Sequence, residues 1–521
     1  MNKNEAITKI LELGVLVSPE FFENIPEAFD YVSFLTKARQ KLQSQSILIE
    51  SDLNEIINES KNNSGLYVQQ LSKQSAELTI GKPEITGKVI IKKNYTKEVK
   101  KKDVQSFVSY FRRRYDSLRK ILMSRQELQD SLSISRLQRK EERQSVSVIG
   151  LVLDKSETKN GNIRIKMEDT TGTIDIIINK TKPDLFEIAK DLVLDEIIGI
   201  TGITGNKIIF CNSIFLPEIP VNHEFKKAPG EGYAVFISDI HFGIKNFLDS
   251  DFMKFISWLS GEFGTKQQRE IANKVKYLFV TGDIVEGVGI YPGQELDLEI
   301  KDIYAQYEEA TRYFKMIPER IKVIMCGGNH DAIRMSEPQP VFDKQMAKGL
   351  YNLPNLLIVS NPAVVNIDST DNFPGFDVLM YHGFSFPYYA ESVPSLRSKG
   401  GLKKCDLIMK FLLQRRHLAP SHGSTLYVPD DEEDSLVIDI VPDIFVSGHI
   451  HQITIGNYRN VSLINSSCWV VQSEDNAKRG IIPEPAKIPI INLQTREVKI
   501  MNFLSDGVKV LVEERLAAKT N

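Results

Sequence analysis

The chain reads as a multidomain protein: a small N-terminal helical module, then a small all-β barrel, then a large α/β domain. Three observations predict this. Its 521 residues exceed what one hydrophobic core organises, and two to four domains are expected. Between residues 145 and 216, short strand-like runs follow one another with turn signals between them. From residue 230 onward, uniformly apolar runs such as YAVFIS, KYLFVT, IKVIMC and DIFVSG alternate with helical stretches, as in an α/β sheet buried on both faces.

Bulk properties exclude several classes. Apolar residues make up 42% and charged residues 26% of the chain, which is ordinary for a soluble protein. A net charge of -3 excludes a polycation, so contact with nucleic acid must come from local patches. Cys211, Cys326, Cys405 and Cys468 are scattered without a C-x-x-C pair, which argues against thiolate zinc and against a disulfide framework. No segment has the apolar core of a signal peptide or the length of a membrane span, so no membrane partner and a cytoplasmic location are expected.

In chain order, residues 1–43 form the helical docking module. Ile7, Ile10 and Leu11 share a helical face, Gly14 is a stop signal, and Ser18-Pro19 has the form of an N-cap followed by a first-turn proline. Residues 44–103, rich in Ser, Asn, Gln and Lys, read as a flexible linker. Residues 104–143 form a helical segment. VQSFVSYFRRRYDSLRKIL places Phe107, Tyr110 or Phe111, Leu118 and Ile121 along one amphipathic helix, with Arg112, Arg113 and Arg114 either solvated or facing a partner or DNA.

Residues 144–220 carry VSVIGLVLD, IRIKMED, TIDIIIN, EIIGITGIT and KIIFCNSIFL, with the helix-like DLFEIAKDL between the third and fourth. Five strands with that interruption match an OB-fold barrel. Phe210 and Phe215 are its candidate base-stacking aromatics, with core packing the rival for each. Residues 230–475 form the large catalytic domain, in which PDDEEDS (Asp430 to Asp434) reads as an exposed acidic loop. Residues 476–521 return to alternation in AKIPIINLQ and REVKIMNFL, strands that extend the domain's sheet or cover its edge.

Chemistry concentrates in five short segments. They are ISDIHFG with Asp239 and His241, FVTGDIVEG with Asp283, CGGNHDA with Asn329, His330 and Asp331, MYHGF with His382, and VSGHIHQ with His449 and His451. Five of the eight histidines lie there. Each segment leaves an apolar strand for a glycine-containing turn, and strand ends in open α/β sheets converge on one cleft. Singly, Asp239 or Asp283 reads equally as a turn cap and His382 as a buried core histidine. Together, the recurrence of carboxylate, amide and imidazole suits Mn, Fe or Zn rather than a soft-metal site. A carboxylate shared by two ions about 4 Å apart gives a clamp for an attacking hydroxide and a phosphoryl oxygen.

The order D-x-H, G-D, G-N-H-[DE], H-G, G-H-x-H resembles the calcineurin-like metallophosphoesterase family. By that resemblance Asp239, His241, Asp283 and His451 hold one metal, and Asp283, Asn329, His382 and His449 hold the other. Asp283 is then the bridge. His330 is then a non-ligand histidine that contacts the phosphate and assists the leaving group, oriented by Asp331. The resemblance implies two divalent cations, Mn2+ by inheritance, with Zn2+, Fe2+ or Mg2+ fitting the same ligands.

The order of modules, with EDTTGTIDI and the segments quoted above, resembles the small-subunit family of archaeal family D DNA polymerases. Eukaryotic relatives have generally lost the ligands that this chain keeps. The likeness implies a 3′→5′ exonuclease that proofreads DNA 3′ ends, single-stranded or mispaired. It implies a heterodimer with a large subunit holding the polymerase site, and a sliding clamp reached through that complex. The motifs alone support only phosphomonoester or phosphodiester hydrolysis. A non-catalytic scaffold subunit and a stand-alone metallophosphatase are the rival readings.

Near the motifs, Phe384, Phe386, Tyr388 and Tyr389 are candidates to wedge or stack a frayed base, with core packing as rival. Arg397, Lys399, Lys403, Lys404, Arg415, Arg416 and His417 are candidates for backbone phosphates, with surface solvation as rival.

Overall fold

The computed structural model describes residues 88–97, 101–471 and 482–504, together with the backbone of 509–514. All belong to the unit Ile85–Asn521. The expected docking module at 1–43 lies outside the described residues, as does most of the stretch read as linker. Within that stretch, however, Lys88–Asn94 forms strand β1. Its mostly exposed side chains leave no local core pattern. Its partners are remote: Lys92 reaches Asp377, and Lys93 reaches Asp439 and the carbonyl of Val437.

Helix α1 (Val104–Leu122) starts at Asp103, whose carboxylate accepts from the Ser106 amide. Its buried stripe is Ser106, Tyr110, Arg114, Leu118 and Leu122, one residue every fourth position. Leu118 and Leu122 pack on the barrel residues Ile149, Leu151 and Ile197. Arg114 is therefore a core cation and not part of a DNA surface. Its Nε donates to Asp434 at 2.7 Å, and Asp434 also accepts from the Tyr110 hydroxyl and from His417 Nε2.

β2 (Ser145–Glu157), β3 (Ile163–Asp169), β4 (Gly172–Ile178), helix α2 (Pro183–Lys190), β5 (Ile197–Thr204) and β6 (Ile208–Phe215) form the expected barrel. It closes in the order β2-β3-β4-β6-β5, with β4 and β6 parallel. Alternation sends Val148, Ile165, Ile176, Ile200 and Ile209 into the interior. Phe210 is half-exposed on the outer face.

The large domain continues with β7 (Tyr233–Ile237), α3 (Asp249–Leu259), α4 (Lys266–Asn273), β8 (Val275–Thr281), α5 (Ile303–Phe314), β9 (Lys322–Cys326) and β10 (Leu356–Ile358). Next come β11 (Ala363–Ser369), β12 (Phe376–Met380), α6 (Phe386–Ser392), α7 (Cys405–Arg415), β13 (Ile444–Ser447), β14 (Thr454–Tyr458) and β15 (Val461–Asn465). Strands β16 (Lys487–Asn492), β17 (Val498–Asn502) and β18 (Lys509–Glu514) follow. One sheet runs β1-β11-β12-β13-β15-β14, the other β10-β9-β8-β7-β16-β17-β18.

Strand alternation explains the uniformly apolar runs. Phe236, Phe279 and Ile324 face Val365, Val378 and Val446 of the opposite sheet. Val235, Leu278 and Val323 face helices α3 and α5 through Phe255, Trp258 and Tyr313. Leu379, Phe445 and Leu463 pack beneath α7. The result is a four-layer sandwich, helix on sheet on sheet on helix. The tail strands extend the second sheet, β16 pairing antiparallel with β7. Among the described residues, no helix is long and apolar enough to cross a membrane.

Candidate metal centre at the strand ends

Asp239 follows β7, Asp283 follows β8, and Asn329, His330 and Asp331 follow β9, three mutually parallel strands. His382 follows β12, and His449 and His451 follow β13, a parallel pair in the other sheet. The carboxyl ends of both sheets thus open onto one place. Asp239, His241, Asp283, His449 and His451 all have φ between 51° and 71°, a left-handed backbone uncommon for residues other than glycine. Such strain concentrates at functional sites. Gly448 permits the close approach of two loops, since a Cβ there would stand 2.6 Å from Asp239 Oδ2. A Cβ on Gly328 would collide with Asp283 Oδ1.

Backbone amides pin the carboxylates. The His449 amide donates to both oxygens of Asp239, at 3.1 and 2.9 Å, and the His330 amide donates to Asp283 Oδ1 at 2.8 Å. That leaves Asp283 Oδ2 in the middle, 3.2 Å from His382 Nε2 and 3.9 Å from His241 Nε2. Asp239, His241 and His451 form one nest of ligand atoms. Asp283, His382 and His449 form a second, and His241, Asp283 and His330 a third. The Asn329 side-chain oxygen lies 3.1 Å from His382 Nε2.

The second ring nitrogens explain why these nests suit cations. His382 Nδ1 faces the Thr281 carbonyl at 2.8 Å, and His241 Nδ1 lies 2.8 Å from Glu286 Oε2. Each Nδ1 carries the proton, so each Nε2 turns a lone pair inward. There it meets other lone pairs: His241 Nε2 is 3.2 Å from His451 Nε2, and His382 Nε2 faces two oxygens. Only positive charge reconciles such groups. Where no cation supplies that charge a proton does: burial opposes charging His382, yet Asp283 overrides it and lifts the imidazole to about 10. Burial and the neighbouring His382 push His449 down to about 3. Asp283 stays well below the usual carboxylate range, because His382 and His330 outweigh its burial. The donors are nitrogen and oxygen only, which fits a pair of divalent cations of the Mn, Fe or Zn kind.

Glu286 escaped the sequence reading. It is buried, holds His241 through its carboxylate, and accepts from His330 Nδ1 through its carbonyl at 3.0 Å. Its one available signal was its place three residues after Asp283. The expected role of Asp331 needs correction accordingly. Its carboxylate accepts from the amides of Ile284, Val285 and Gly328, so it clamps two loops together while Glu286 orients His330. Burial and Asp283 raise the Asp331 carboxyl to about 7.

A cleft of about 660 Å³ opens over Asp283, Asn329, His330, His449 and His451, with Arg397 and Lys403 on its wall. Of the other expected phosphate contacts, Lys399 and Lys404 are exposed away from this lining. Arg415, Arg416 and His417 are buried and serve structure. Arg415 pairs with Glu196 of the barrel at 2.7 Å, and Arg416 donates to the carbonyls of Ile438 and Asp439. Phe386 and Tyr389 are core residues, whereas Phe384 and Tyr388 retain exposure. The acidic loop is exposed only at Asp431, Glu432 and Glu433. Asp430 and Asp434 are buried, because Lys97 and the Arg114–His417 pair draw them inward.

Residues 233–453 match the calcineurin-like phosphoesterase family, and residues 146–207 match the OB-fold nucleic acid binding domain. The DNA polymerase II small subunit of Methanothermobacter thermautotrophicus is 40% identical over 390 residues, 75% of this chain and 78% of that protein. This chain belongs to the DNA polymerase II small-subunit family. Members from Pyrococcus furiosus and Halobacterium salinarum are 39% and 34% identical, over 77% of this chain in each case. The match spans 64% of the former and 75% of the latter. For a small subunit of this family, the sandwich of two sheets is the phosphoesterase domain and the barrel is the OB fold that precedes it.

Proposed function

We propose that this small subunit is a two-metal phosphodiesterase that removes nucleotides from DNA 3′ ends, beside a large subunit that holds the polymerase site. The observation that carries the reading is the convergence of imidazole lone pairs on two carboxylates at the floor of an open cleft. Asp239, His241, Asp283 and His451 would hold one cation, and Asp283, Asn329, His382 and His449 the other, with Asp283 common to both sets. Mn2+ is the proposed metal on family likeness alone, since the donor set fits Fe2+ or Zn2+ equally. Bound there, the two cations supply Lewis-acid activation of water and of the phosphoryl oxygen.

The chain's own residues do the rest. His330 donates Nδ1–H to the Glu286 carbonyl, leaving Nε2 at the cleft. The Glu286 carbonyl and carboxylate, 3.0 and 3.5 Å from Nδ1, favour the protonated ring, so His330 is the group placed to give a proton to the departing 3′ oxygen. Arg397 and Lys403 hold the backbone phosphate ahead of the scissile one. Family likeness supports assembly with a large subunit, and the reading extends to a sliding clamp reached through that complex.

The test is hydrolysis of 3′-mispaired DNA during divalent-ion titration, with the co-purified large subunit. Nucleotide release from the 3′ end is expected, and Asp283→Ala should abolish it while sparing assembly. Full activity in that variant refutes the assignment. Faster hydrolysis of a generic phosphomonoester than of DNA ends favours a stand-alone phosphatase.

A further inference from the structure

Rings run through the candidate metal centre in two short series, and an aromatic residue flanks each one on its outer side. Phe384 stands 5.5 Å from His449, which is 5.1 Å from His382. Across Asp283, His241 is 4.7 Å from His330, and His330 is 6.4 Å from Tyr291. Both terminal aromatics are half-exposed, whereas Phe386 and Tyr389, next to Phe384 in sequence, are fully buried.

Tyr291 is also held in place. Its hydroxyl donates to Asp297 at 3.0 Å. Its loop is braced by buried Gln294, which bonds Glu286 and the Ile290 amide, and by buried Gln306, which bonds Gly287. A half-exposed ring on so braced a loop, 6.4 Å from the His330 ring, is a surface open to another flat group.

We propose that Tyr291, beside His330, and Phe384, beside His449, are the two base-stacking posts that flank the metal centre, so that the substrate is a 3′ end with its last two nucleotides unpaired. This rests on the nuclease reading above. His330 faces the leaving oxygen, so Tyr291 stacks the penultimate base, which keeps the new 3′ end. Phe384, beside His449, stacks the base of the released nucleotide. A duplex terminus cannot offer both bases without fraying, which makes mispaired ends the preferred substrate. Stacking on an aromatic face is indifferent to base identity, as a proofreading site requires.

The test uses the full chain with its large subunit in Mn2+ and compares a single-stranded oligonucleotide with bis(p-nitrophenyl) phosphate, a diester without bases. Tyr291→Ala and Phe384→Ala should each raise KM on the oligonucleotide by about tenfold or more. The ratio of kcat/KM on DNA to that on the small diester should fall in step. Tyr291→Phe should restore the ratio, and Tyr291→Leu, which keeps apolar bulk without a π-face, should not. 2-Aminopurine quenching should weaken at the penultimate position in Tyr291→Ala and at the terminal position in Phe384→Ala. Equal losses on both substrates, or an unaltered KM on DNA, overturn the assignment. An unaltered protein that hydrolyses the small diester but no oligonucleotide overturns the nuclease reading itself.

Discussion

Glu286 shows how much of this centre is set outside the ligands themselves. One buried residue holds His241 through its carboxylate and orients His330 through its backbone carbonyl. Glu286→Gln keeps the volume but loses the charge that holds His241. Divalent-cation affinity should fall about ten- to hundredfold, measured by calorimetric titration. Gly448→Ala should act on the same nest from the backbone side, because its Cβ displaces Asp239. Its metal affinity should drop without loss of the OB barrel's fold. The residues of the nests were legible because each is a polar break after an apolar strand. Glu286 was not, since an acidic residue inside a turn looks like solvated surface until its neighbours in space are known. The same limit applies to Asp331, two of whose three amide partners lie on a different loop.

At the level of elements, α1 works as a bolt. Its Tyr110 and Arg114 meet Asp434 and His417 of the phosphoesterase domain, while Leu118 and Leu122 grip the barrel. Removing one partner strands a buried charge, so Arg114→Ala should cost about 3–5 kcal/mol in urea unfolding. The cluster also sets a pH dependence. The Ala419 amide donates to His417 Nδ1 while Nε2–H donates to Asp434, which fixes a neutral ring. Burial and Arg114 lower it to about 4, against an ordinary value near 6.5. Between those values the unfolded chain binds the proton and the folded one does not. Stability should therefore rise from pH 4 to 6.5 and level off above, and His417→Gln should flatten that slope. Helix α1 was readable from its period and cap, but not the rotation of its face. Three consecutive arginines resemble a solvated patch, and only the remote Asp434 reveals that one is a core residue. β1 was missed for a related reason: a strand exposed along a sheet edge carries little hydrophobic signal.

At the scale of the molecule, the alternation of apolar runs and glycine turns carried the architecture. A strand buried on both faces has a sequence signature that survives without knowledge of its neighbours. What alternation cannot supply is the pairing of two sheets, which places β7–β9 and β12–β13 with their carboxyl ends at one cleft. Because the nests hold like groups face to face, metal binding should stabilise the whole fold. The melting temperature should climb with Mn2+ concentration in the unaltered protein, and Asp283→Ala should show little of this rise.

The most direct measurement is the number of Mn2+ ions bound at saturation, by equilibrium dialysis with elemental analysis. Two per chain are expected in the unaltered protein, and at most one in Asp283→Ala, since the carboxylate common to both sets is gone. No bound metal in the unaltered protein, or two ions retained by the variant, would contradict the two-metal centre.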